Sequence, residues 1–151
     1  MTIQAQTTVA QIFVRWQSED RSLDAVAGDL QSWMRDVEQL GIPRFGETAT
    51  RLIPFRALLA KHFDEENEML DELAKSYSSE SPEIAAMRRQ ATQDHVNLLA
   101  NLDDFTGRLS DLEPPFQSWQ AAMQEFDLLY IQIEQHEDQE SENLQAMMPS
   151  K

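Results

Sequence analysis

Three histidines are the residues of this chain best suited to chemistry, and two of them are followed by a glutamate four positions on. His62 opens the run H-F-D-E-E, which ends at Glu66; His136 opens H-E-D-Q-E, which ends at Glu140. His95 stands alone in Q-D-H-V-N-L-L. Side chains at i and i+4 share one helix face a turn apart, so each pair can bring an imidazole and a carboxylate to one point. That donor set suits iron, manganese or zinc. The chain has no cysteine, which excludes thiolate zinc sites, iron–sulfur clusters and a disulfide framework.

The elements that must position these residues read as helices. Gly (4) and Pro (6) are few and fall mostly between periodic segments, a pattern of helices with short connections. Thr8 and Gln11 form a capping-box pattern that opens the first helix. Its stripe runs Val9, Ile12, Phe13, Trp16, Asp20, Leu23, Ala27, Leu30, Met34 and Val37, in the steps of three and four of a bundle seam. Gly41-Ile42-Pro43 ends it. The second helix lies between Glu47 and Tyr77, with a stripe of Leu52, Phe55, Leu59, His62, Glu66, Met69 or Leu70, and Leu73. Pro54 there marks either a first turn or a kink. Ser81-Pro82-Glu83 starts the third helix as cap, first residue and first-turn acid. It carries Ile84, Met87, Ala91, His95, Leu98, Leu102, Phe105 and Leu109. Glu113-Pro114-Pro115 breaks the chain. The fourth stripe is Trp119, Met123, Phe126, Leu129 or Tyr130, Ile133, His136, Glu140 and Leu144, with fraying expected from Met147. Four long amphipathic helices with short loops predict an all-α, up-down-up-down antiparallel four-helix bundle, one domain over residues 1–151.

Polar residues on apolar stripes need a partner. Burying an ionised carboxylate costs several kcal/mol unless it is compensated. Neither Glu66 nor Glu140 has an Arg or Lys one turn away on its stripe. A divalent cation would compensate both, and the histidines would complete its shell. His62 lies about 15 Å along its helix from Leu52, and His95 about 16 Å from the start of its own, so both are mid-helix. A single histidine on such a stripe is more often a hydrogen-bonded core residue than a ligand. The three together, two with aligned glutamates, favour a metal site. Asp64, Glu65, Glu68, Glu137, Asp138 and Glu142 are expected mostly on the solvated face.

The residues three before the histidines are Leu59, Thr92 and Ile133, so the Glu-x-x-His motif of ferritin-like bundles is absent. So is H-E-x-x-H. The ordered set H-F-x-x-E-E, D-H-x-x-L-L and H-x-x-x-E, spread over nearly the whole chain, resembles the hemerythrin-like family of HHE cation-binding domains. That resemblance implies a four-helix bundle around two non-haem iron ions. It implies terminal imidazole ligands at His62, His95 and His136 and bridging carboxylates at Glu66 and Glu140. The family's first helix usually carries a segment like E-H-R-x-L-D-A. Here Glu19-Asp20-Arg21-Ser22-Leu23-Asp24-Ala25 puts Asp20 in the histidine's place, either as a carboxylate ligand, the favoured reading, or as a vacancy. Oxygen carriers of the family add a histidine one turn after the third-helix ligand. Leu99 stands there, which argues against reversible O₂ carriage.

The function expected from these residues is a di-metal protein that meets O₂, NO or peroxide or handles iron, with manganese or zinc as alternative metals. A peroxide-processing, metal-dependent oxidoreductase and a non-catalytic bundle with a degenerate site are the rivals. The formal charge of −15, from 27 acidic and 12 basic residues, argues against nucleic-acid partners. The sequence shows no membrane span or signal-peptide pattern, so a cytoplasmic location is expected. It does not set an oligomeric state, although Trp33, Phe45 and Tyr77 are apolar residues that a partner could cover.

Overall fold

The computed structural model describes residues 9–76 and 82–146, without the side chains of residues 9, 10, 12, 13, 19, 20, 76 and 83. Four helices account for most of this length: α1 (Val9–Leu40), α2 (Phe45–Ser76), α3 (Pro82–Leu109) and α4 (Trp119–Ala146). The expected features at Thr8, Tyr77, Ser81 and Met147 lie outside the described residues. None of the helices is long and apolar enough to cross a membrane.

Each helix packs on two neighbours, closing a ring in the order α1, α2, α3, α4. Contacts across the ring give the directions. Arg15 pairs with Glu72 while Arg51 lies over the Trp33 ring, so α1 and α2 run oppositely. The pairs Arg56–Asp103 and Arg88–Asp71 do the same for α2 and α3. Arg108–Glu125 and Asp94–His136 orient α3 against α4. Tyr130–Asp24 and the 3.0 Å bond from Trp119 Nε1 to the Met34 carbonyl close the ring between α4 and α1. The result is an antiparallel four-helix bundle.

Local chemistry explains the ends. Gly41 adopts φ +75°, the left-handed conformation that closes a helix, and its N–H reaches the Glu38 carbonyl at 3.1 Å. At the start of α4, the Ser118 hydroxyl accepts the Ala121 N–H at 3.1 Å, a cap that the sequence reading passed over. Pro54 lies well inside α2 rather than in its first turn, on the exposed side, where the carbonyl its ring leaves without an N–H partner can take water instead.

Among the described residues the interior forms two apolar clusters. The larger fills the end built from Leu30, Leu52, Phe55, Leu102, Phe105, Trp119 and Phe126 and reaches Leu59, Phe63, Leu98 and Ile133. The smaller holds Trp16, Met69, Leu70, Leu73, Met87, Ala91 and Leu144. Tyr130 rather than Leu129 is the buried member of the α4 stripe, and Ala122 is buried beside a half-buried Met123. Trp33 and Phe45 already pack within the chain: Trp33 meets Trp119 edge-on, and Phe45 stacks on Phe116. The larger cluster should dominate stability. Phe105, fully buried between Phe116 and Phe126, is the sharpest probe. Replacing it by Ala should cost about 3–5 kcal/mol in urea unfolding, and a loss under about 1 kcal/mol would mean this end is loosely packed.

Candidate metal centre

Between the two clusters lies a polar layer. Leu59, Leu98 and Ile133 bound it on one side, and Met69, Leu70, Ala91 and Leu144 on the other. It contains His62 and Glu66 from α2, His95 from α3, and His136, Glu137 and Glu140 from α4. All six are buried, and Glu66 is 0% exposed. The stripes therefore place the predicted histidines and glutamates inside, where an uncompensated charge is costly.

Glu66 is the hub. One of its oxygens contacts His62 Nε2. The other lies 3.0 Å from His95 Nε2 and 3.5 Å from His136 Nε2. The two imidazoles face each other, with Nε2 atoms 3.0 Å apart. Their outer nitrogens are held: His95 Nδ1 donates to Asn67 Oδ1 and His136 Nδ1 to Asp94 Oδ2, each at 3.1 Å. These bonds select the tautomer whose Nε2 lone pair points inward. Phe63 stacks on the His95 ring at 4.1 Å and fixes its plane.

Lone pairs and a carboxylate oxygen thus converge where a positive charge is required. Among the described residues, three groups have donor atoms within 4.8 Å of one another: Glu66, His95 and His136; His62, Glu66 and Glu137; and Asp94, His136 and Glu140. Ligand bonds of about 2.0–2.2 Å would let each of the first two sets hold an ion of its own. The first two share Glu66, so its two oxygens face two adjacent positions. The residues present fit metal ions on chemistry as well as distance, since all donors are imidazole nitrogen or carboxylate oxygen.

The expected residues are not all brought to one point. Glu140 groups with Asp94 and His136, and its Oε2 is buried without a hydrogen-bond partner among the described residues. Asp20 lies in α1 between Trp16 and Leu23, but its side chain falls outside the described residues. Leu99 is half-buried and packs against the larger cluster. One reading is corrected outright. Glu137, expected on the solvated face, is 2% exposed and lies 3.0 Å from His62 Nε2. A bundle seam is wider than a strict a/d stripe, and Glu137 follows Ile133 by four just as His136 follows it by three. Phe63, four after Leu59, widens the facing stripe in the same way. Asp94 and Asn67, which orient the imidazoles, were missed because neither falls on a stripe.

Scanning known family models, and searching characterised proteins and solved structures, gave no match to this chain.

The layer's own electrostatics is legible. Burial, then the neighbouring His136, pushes His95 down to about 3 and keeps it neutral. Burial, then the charges of Glu137 and Asp94, raises Glu140 to about 8. Glu137 is pushed up by burial, but its contacts with His62 and Glu66 outweigh this and hold it below the usual carboxylate range. In the metal-free protein these shifts act in different windows. From about pH 3 to 6.5 the unfolded chain binds a proton that folded His95 refuses, so stability rises with pH. Glu137 adds to the loss on the acid side. From 4.5 to about 8 folded Glu140 keeps a proton that the unfolded chain releases, so stability falls. Metal-free protein should melt highest between 4.5 and 6.5, where the two slopes oppose, and lower towards pH 8. Calorimetry of wild type and Glu140→Gln checks this; the variant should lose the decline above pH 6.5, and an unchanged decline would contradict the role given to Glu140.

Proposed function

We propose that the chain is a hemerythrin-like protein that holds a dinuclear non-haem metal centre, with iron as its native metal, and binds O₂, NO or peroxide there. The observation that carries this reading is the pair of donor sets joined by the two oxygens of Glu66. His62 serves one position, His95 and His136 the other, and Glu66 both. This division agrees with the ligand roles that the resemblance implies for those residues. The absence of cysteine thiolates and the mixture of imidazole with carboxylate suit iron, manganese or zinc. Iron so held supplies redox and Lewis-acid chemistry for small oxygen-containing ligands.

The chain's own residues supply the rest. The flanking apolar clusters limit water access to the layer. Asn67 and Asp94 hold the inward tautomers, and Phe63 restrains His95. The hydrogen bonds and ring packing therefore prepare the imidazoles for an ion, which lowers the reorganisation that binding requires.

Elemental analysis and the visible spectrum of protein purified from iron-replete cells test the reading together. Two metal ions per chain are expected, and His62→Ala and His95→Ala should each lower that content. A metal-free wild type whose stability and metal content are indifferent to His62→Ala would sink it. Asp94→Asn should leave the fold intact and weaken metal affinity by about 10–100-fold, measured by competition with a chelator.

A further inference from the structure

The aligned spacing of His136 and Glu140 nominates Glu140 as the α4 carboxylate of the centre, yet the carboxylate facing His62 belongs to Glu137. Its Oε1 lies 3.0 Å from His62 Nε2, and it forms a compact donor set with His62 and Glu66. Neither of its oxygens has a well-aligned hydrogen bond, although both are buried. Glu140 joins neither of the sets built on Glu66. It clusters instead with Asp94 and His136, and Asp94 touches Nδ1, the ring nitrogen that faces away from Glu66.

We propose that Glu137 is a direct ligand of the ion on the His62 side, and that Glu140, grouped apart with Asp94 and His136, is a ligand of neither ion held by Glu66. The assignment rests on the dinuclear reading above. It makes the two positions chemically unequal. The His62 side offers one imidazole and two carboxylates; the other offers two imidazoles and one carboxylate. The harder, more anionic set favours manganese or ferric iron, and the nitrogen-richer set binds cobalt or zinc more tightly. The centre should therefore fill in order with a nitrogen-preferring metal rather than as an equivalent pair.

Anaerobic titration of metal-free protein with Co²⁺, with elemental analysis after desalting, separates the residues. Wild type should bind two ions in two resolved steps. Glu137→Gln should keep the first step and weaken the second by more than about tenfold. Glu140→Gln should keep both ions. If Glu137→Gln fails to fold, Glu137→Asp decides: its shortened carboxylate should weaken the second step, and unchanged binding of both ions overturns the assignment. Retention of two ions by Glu137→Gln, or loss of an ion in Glu140→Gln, also overturns it while leaving the dinuclear reading intact. Fewer than two ions in wild type overturns the dinuclear reading itself, and the assignment with it.

Discussion

Glu66 is fully buried where α2, α3 and α4 meet, and its two oxygens meet different partners. One meets His62, and the other meets the facing nitrogens of His95 and His136. The outer nitrogens of the latter two rings are tied to Asn67 and Asp94, so their inner nitrogens present lone pairs. In a layer this dry, lone pairs and carboxylate charge stand together only around a positive charge, whether protons or metal ions. Much else in the molecule can be understood as the means of holding those atoms at that separation.

The two apolar clusters are the first of those means. By filling the bundle on both sides of the layer, they fix helix spacing and leave the polar groups little freedom to reach water. Aromatic packing of Phe45, Phe105, Phe116 and Trp119 closes the far end. Ion pairs such as Arg15–Glu72 and Arg56–Asp103 lie on the exposed rim, where each is worth at most about 1 kcal/mol. Stability thus comes from the clusters, and the layer between them opposes it. A ligand that binds only the folded state returns stability in proportion to its affinity, which couples folding of such a bundle to occupancy.

Much of this arrangement was legible as periodicity. The α3 stripe from Ile84 to Leu109 is buried at each position read from the sequence, and so are His62, Glu66, His136 and Glu140. Two kinds of residue escaped. Glu137 was assigned outward because a narrow stripe admits one residue per turn, whereas the seam at this level takes two, His136 and Glu137 on one side and His62 and Phe63 on the other. Asn67 and Asp94 escaped because their role depends on which ring lies opposite, and helix periodicity carries no such information. Pro54 is a third case: a proline in an exposed helical face is tolerated when neighbouring packing holds the helix, and local propensity does not report that packing.

The sequence by itself determined the helices, their inward faces and the donor types: imidazole and carboxylate, with no thiolate. These follow from side-chain chemistry and from a repeat of 3.6 residues, both local properties. Only the tertiary structure decided which donors share a point. It joined Glu66 to two sets, turned Glu137 towards His62, and set Glu140 beside Asp94. Those outcomes depend on the relative depth and rotation of helices packed side by side. A shift of one residue rotates a side chain by about 100° and moves it about 1.5 Å along the axis, enough to exchange one carboxylate for another.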